Sequence, residues 1–278
     1  MLKTRVISAV VGAVLLIVLL SLGNIALGLG ILVLSLIGIR ELYQAVSHAG
    51  YKPVRWIGYL ACIPIFLISL SGENKVSAYV GLLKSVNSIF FGIFVMLMVL
   101  FSLIVFLHDK YSLIDIALTV FGILYVPFLF SFIVLTRGMT NGVLFIWIIF
   151  IAWSTDTFAY FTGLMLGKHK LLPAISPKKT IEGSIGGIIG CVAATIAYGI
   201  FIRAYIGEIP IYHFVIIGLL NGIISQVGDL SASAIKRFVN IKDYGKVMPG
   251  HGGVLDRFDS ILFVAPVVYF YLSFIVLK

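Results

Sequence analysis

Residues 225–259 read SQVGDLSASAIKRFVNIKDYGKVMPGHGGVLDRFD, and three textures follow one another there. The first continues an apolar helix: Asp229, Ser233 and Lys236 or Arg237 stand at i, i+4 and i+7 or i+8, on one helical face. That face begins with an acid at membrane depth and ends in two cations near water. A loop follows, carrying Lys242, Asp243, Lys246, Pro249, Gly250, His251, Gly252 and Gly253. The chain then re-enters apolar sequence through Asp256, Arg257 and Asp259. Two carboxylates on neighbouring helices, with a basic glycine-rich loop between them, read as a metal and phosphate site.

Outward from this stretch the sequence is mainly apolar. Of 278 residues, 61% are hydrophobic and 11% charged, with a mean hydropathy of +1.15. Soluble domains are roughly 25% charged, so the composition belongs to an all-α, polytopic integral membrane helix bundle. With roughly 20 apolar residues needed per crossing, about nine transmembrane helices are expected: 5–22, 24–47, 54–71, 88–107, 112–136, 142–166, 181–205, 210–238 and 256–277. The stretch 75–87 is too short and polar to span and reads as interfacial. Pro127 predicts a kink in the fifth span. Three regions follow: N-terminal helices over 1–72, middle helices with the interfacial segment over 73–140, and a catalytic region over 141–278. The last carries loops 167–180 and 237–255.

Basic residues orient the chain. With nine spans, Lys75, Lys84, Arg137, Arg203 and Lys278 fall on one side and the other fifteen of the 20 Lys and Arg on the opposite side. The crowded side is cytoplasmic by the positive-inside rule, and the C-terminus is outside. Anionic lipid headgroups account for the net charge of +9, and no nucleic-acid-binding domain is left over, so a nucleic-acid partner is excluded. Cys62 and Cys191 lie inside spans without metal spacing and read as small apolar residues. The amphipathic stretch from Arg40 to Trp56 reads as an ordinary interfacial connector. The N-terminal apolar run lacks a small-x-small cleavage site and is expected to stay as a first span.

Further polar residues join the candidate site. Asp156 sits within an apolar helix, where a charged carboxylate costs roughly 2.5–3.5 kcal/mol, so a role or a partner is expected for it. In the loop after it, Pro177 stiffens the chain, Lys178 and Lys179 project charge, and Thr180 is a candidate N-cap. Cations beside a helix N-terminus suit a phosphate. Glu182 fits the first turn of that helix. Gly183 with Gly187, and Gly186 with Gly190, make two overlapping GxxxG spacings that favour close helix packing and leave a homodimer as an option. The run Pro249–Gly253 suits an anion-cradling turn, although GxxxxGK[ST] is absent. Oxygen ligands without a Cys/His cluster favour Mg2+ over zinc.

Taken together, Ser233-Ala-Ile-Lys236-Arg237, Lys242-Asp243, Pro249-Gly-His251-Gly-Gly253 and Asp256-Arg257-Phe-Asp259 resemble the signature of the phosphatidate cytidylyltransferases, or CDP-diacylglycerol synthases. Asp156 with Ala159-Tyr160 and Gly163, and Ser176–Thr180 with Glu182-Gly183, are similar to further family segments. The resemblance implies Mg2+-dependent transfer of CMP from CTP to phosphatidic acid at the cytoplasmic face of the inner membrane. It implies Asp229 and Asp256 as Mg2+ ligands, a second cation between them being an option, with Asp259 an outer ligand or orienter. Lys236, Arg237, Lys242 and Arg257 would neutralise phosphates. Gly252 and Gly253, with His251 and Asp243 beside them, would meet the triphosphate, and Lys178, Lys179, Thr180 and Asp156 would close the site. Two alternatives stand against this reading. A secondary transporter also explains intramembrane acids, but not their clustering with a glycine-rich loop. A CTP-dependent lipid kinase or related transferase shares the anionic chemistry.

Overall fold

A computed structural model describes residues 2–70, 86–207, 209–247 and 252–277. The expected interfacial segment lies almost wholly outside the described residues, as does His251. The chain forms two compact units: Met1–Val134 with Val239–Leu255, and Leu135–Phe238 with Asp256–Lys278. The loop expected over 237–255 is therefore grouped largely with the N-terminal helices, while the residues on both sides of it belong to the second unit.

The expected apolar stretches are helical. In the first unit they are α1 (Leu2–Ser21), α2 (Asn24–His48), α3 (Arg55–Leu60), α4 (Ile63–Ser69), α5 (Val86–Phe106), α6 (Leu113–Ile123) and most of α7 (Leu129–Arg137). Among the described residues, six helical stretches are long and apolar enough to cross a membrane: Asn24–His48, Leu113–Arg137, Gly142–Leu166, Ile181–Ile206, Ile211–Phe238 and Leu255–Val276. The third and fourth expected spans appear as the shorter apolar helices Arg55–Ser69 and Phe90–Phe106, so among the described residues the count of nine is not confirmed. Pro127 lies in a π-helical turn, Leu124–Phe128, between α6 and α7. Its missing N–H and its ring are accommodated by one widened turn, as expected of an intrahelical proline.

A polar seam runs through the first unit. Ser112 and Asp115 form a capping box at the start of α6. Asp115 also accepts from the Lys52 amide at 2.5 Å. One turn on, Thr119 Oγ1 accepts from the Val54 amide at 2.8 Å, and its carbonyl accepts from the buried Tyr43 hydroxyl at 2.8 Å. Asp115 and Thr119 are thus buried and satisfied, as polar groups away from water must be. They fasten the 52–54 segment and α2 to α6 in a core that includes Tyr43, Ile39, Leu42 and Ile65.

The second unit holds α8 (Gly142–Ile151), α9 (Trp153–Leu166), β1 (Lys170–Leu172), β2 (Ser176–Thr180), α10 (Ile181–Ile206), α11 (Ile211–Phe238) and α12 (Leu255–Tyr271), continued by a π turn over Leu272–Val276. The stretch expected as the loop 167–180 is instead largely an antiparallel hairpin, pairing Lys170 with Thr180 and Leu172 with Ser176. Pro173 opens its turn, and the Ile175 amide bonds the Leu172 carbonyl at 3.1 Å, a β-turn with proline at the second position. Helix α10 packs along α9 through its glycines. A Cβ on Gly187 would stand 2.8 Å from the Thr155 carbonyl oxygen, and one on Gly183 equally close to that of Ala159. Gly186 and Gly190 meet Thr162 and Phe158. All four glycines of the GxxxG spacings thus serve an intrachain contact.

Candidate active site

Three close approaches within the second unit set the site's frame. Helices α9 and α10 meet through the glycines just described. Helices α10 and α11 meet where Gly222 faces Ile188. There the Gln226 amide donates to the Ser184 carbonyl at 3.1 Å and its oxygen accepts from the Ser184 hydroxyl at 2.5 Å. Helices α11 and α12 meet at Gly228, where a Cβ would stand 2.6 Å from the Asp259 carbonyl oxygen. The small residue before Asp229 therefore lets two acid-bearing helices come together.

Charged side chains gather at this junction. The Lys179 ammonium, from β2, pairs with Asp229 on α11. The Lys236 ammonium, two turns further along α11, donates to Asp256 at 2.8 Å, with side chains only 13% and 4% exposed. Asp259, buried one turn beyond Asp256 on α12, accepts from the Ser260 amide at 2.7 Å and from its hydroxyl at 3.1 Å. It interacts electrostatically with Asp229, Lys236 and Asp156. Asp156 on α9 interacts electrostatically with Asp229, Lys179 and Arg257. Trp153, at the start of α9, donates its indole N–H to the Arg257 carbonyl at 3.2 Å, tying α9 to the first turn of α12.

Of the residues singled out in sequence, Asp156, Lys179, Asp229, Lys236, Asp256, Arg257 and Asp259 are thus one electrostatic network. In formal count its four carboxylates face three cations, an excess of one negative charge. Thr180 is buried and caps α10, its hydroxyl accepting from the Gly183 amide at 3.1 Å. Lys178 is exposed beside it. Arg237 is directed elsewhere, donating to the Ile175 carbonyl in the hairpin turn at 3.3 Å. Lys242, Asp243, Gly252 and Gly253 belong to the first unit, the first two exposed.

One contributor went unread, and a second has a role beyond the one read for it. Ser260 holds Asp259 through its amide and its hydroxyl, and its signal was its place next to an acid in an otherwise apolar helix. Glu182 holds the hairpin instead of only facing the helix dipole: it accepts from the Lys168 amide at 3.1 Å and from the His169 amide, and contacts the His169 ring at 2.6 Å. That contact joins the end of α9 to the start of α10.

The residues fit a hard divalent cation in kind. Among the described residues no three His, Cys, Asp or Glu side chains converge as a ready-made cage. Mg2+ needs less, because it commonly takes one or two carboxylates with water and substrate phosphates. Asp229, paired with the Lys179 ammonium, and Asp256, which accepts from that of Lys236, supply carboxylate oxygens of the kind Mg2+ takes.

An array of carboxylates and ammonium groups at the junction of apolar helices defines a class of membrane-embedded site suited to phosphate-bearing substrates. Comparison with known proteins makes the assignment specific: the cytidylyltransferase family profile matches residues 3–275, and the chain belongs to that family. It is 34% identical over 269 residues to the phosphatidate cytidylyltransferase of Staphylococcus haemolyticus, covering 96% of this chain and 97% of that protein. Phosphatidate cytidylyltransferases of Staphylococcus aureus strain COL and of Staphylococcus epidermidis share 33% and 32% identity at the same coverage.

Proposed function

We propose that this protein transfers CMP from CTP to phosphatidic acid, giving CDP-diacylglycerol and pyrophosphate. The observation that carries the reading is the network of Asp156, Lys179, Asp229, Lys236, Asp256, Arg257 and Asp259 at the helix junction, in a chain related over nearly its full length to phosphatidate cytidylyltransferases. An oxygen of the phosphatidate phosphomonoester attacks the α-phosphorus of CTP, the bond from that phosphorus to the β-phosphate oxygen breaks, and pyrophosphate leaves. The nucleophile is already an oxyanion near neutral pH, so no strong base is required. Both substrates are anions, so the protein's task is to bring them together and offset their charge.

Lys179, Lys236 and Arg257 are the cations placed for that task, and Asp229 and Asp256 would hold Mg2+. When bound, Mg2+ supplies positive charge to the phosphate oxygens and to the departing pyrophosphate. Asp259, with Ser260, orients the acids around it, and Thr180 holds Lys179 in register by fixing the start of α10. Arg237, Lys178, Lys242, Asp243 and Gly252 are assigned by sequence to the approach of CTP. The basic face is assigned to the cytoplasmic side of the inner membrane, so that CTP arrives from water and phosphatidate from the leaflet. A transporter reading does not account for the near full-length likeness to phosphatidate cytidylyltransferases and is not favoured.

The test uses purified protein in detergent with phosphatidic acid, Mg2+ and CTP labelled at either the α- or the γ-phosphate. Label from the α-position in the lipid phase is expected. Lipid label from the γ-position would overturn the proposal in favour of a CTP-dependent lipid kinase.

A further inference from the structure

The N-terminal unit contains a buried acid that the signature does not include. Glu41 lies on α2, 3% exposed, on the same face as the buried Ser35, Gly38 and Leu42. Its two carboxylate oxygens accept from the Val254 and Leu255 amides, at 3.0 Å each, across more than two hundred residues of chain. Those amides sit where α12 begins, so the carboxylate occupies the position an anion takes at a helix N-terminus. Two glycines lie against the same group. A Cβ on Gly245 or on Gly253 would overlap the Glu41 carboxylate. Gly253 does not have a positive φ, whereas Gly252 does, at +88°. The turn therefore needs Gly252 for its backbone conformation, and needs Gly253 for space. The tenant of that space is Glu41, a residue of the chain itself.

We infer that Glu41 is a positioning residue for the proposed transfer, which this inference presupposes. It holds the Val254 and Leu255 amides at the first turn of α12, with Gly245 and Gly253 packed against it, and so fixes the point from which the chain proceeds into Asp256 and Arg257. Gly253 and the amides of Val254 and Leu255 then serve this internal clamp, and the triphosphate is met by other groups.

Two readouts test it. The first is independent of activity: amide hydrogen exchange at Val254 and Leu255 in wild type, Glu41→Ala and Glu41→Gln. Faster exchange at both amides in Glu41→Ala, with Glu41→Gln intermediate, is expected. Unchanged exchange would overturn the clamp. The second is a rescue in turnover. Gly253→Ala alone is expected to lower kcat about 100-fold, the scale of a 1 Å misplacement, with the KM for CTP little changed. Glu41→Asp, which retracts the carboxylate by one methylene, is expected to restore at least about tenfold of that loss in the Gly253→Ala background. Failure of the shorter acid to rescue, or a Gly253→Ala defect confined to the KM for CTP, would return Gly253 to the triphosphate and overturn the inference. Near-wild-type turnover in Glu41→Ala, despite faster exchange, would leave a structural clamp and overturn the positioning role. Wild-type protein inactive with CTP and phosphatidate would overturn the proposed function and the positioning role with it, while amide exchange would still decide whether the clamp exists.

Discussion

At the scale of single residues, the acids of the second unit divide the labour. Asp229 and Asp256 each hold a lysine, while Asp259 is secured by Ser260 at its own helix turn. Asp229→Asn and Asp256→Asn keep side-chain size and remove the charge. Either change is expected to lower turnover by at least about 100-fold, the scale of losing one preorganised electrostatic contact. Protein yield and detergent solubility should be retained. Near-normal turnover in either variant would remove the metal assignment. These acids were legible in sequence because a carboxylate in an apolar helix is costly and draws notice. Glu41 obeys the same rule and escaped it. It sits next to Arg40 near a helix end, where a charged pair reads as interfacial, and its partners are backbone amides that leave no trace in side-chain pattern.

At the scale of elements, the junction of α11 and α12 depends on Gly228. Gly228→Ala places a methyl group against the Asp259 carbonyl and forces the helices apart. An overpacking cost of about 1–3 kcal/mol is expected, read as a lower thermal midpoint in detergent together with a loss of turnover. Thr180→Ala removes the cap of α10 and is expected to cost about 1 kcal/mol, with Thr180→Ser close to wild type. Comparing the unfolding midpoints of the two variants checks it. The helices were legible because apolar runs of this length have few alternatives, and the cap because Thr180 precedes a glycine- and isoleucine-rich helix. The 170–180 hairpin was not. Its strands are three and five residues long, too short for an alternating pattern, and Pro177 argues against a strand unless that strand has a free edge. The two-stranded sheet gives it one.

At the scale of the whole chain, the assignment of residues to units was the least legible feature. The sequence places 239–255 between two helices of the catalytic region, but its packing belongs with the N-terminal helices, through contacts whose sequence separation no local pattern encodes. The charge network makes a prediction at this scale too. Because Lys179 and Lys236 already answer Asp229 and Asp256, the fold is expected to stand without a metal. Chelation is expected to abolish turnover, and added Mg2+ to restore it, while the thermal unfolding midpoint stays within about 2 °C. A large drop in that midpoint on chelation would show that the metal is structural. The clamp at Glu41 also constrains how the protein is made. Its carboxylate and the Val254 amide are separated by 213 positions. At a synthesis rate of roughly 5–20 residues per second, α2 emerges on the order of 10–40 s before those amides exist. The N-terminal helices must therefore pass through the nascent stage with their final fastening missing, and the unit whose translation begins first stays incomplete until the chain has reached Leu255.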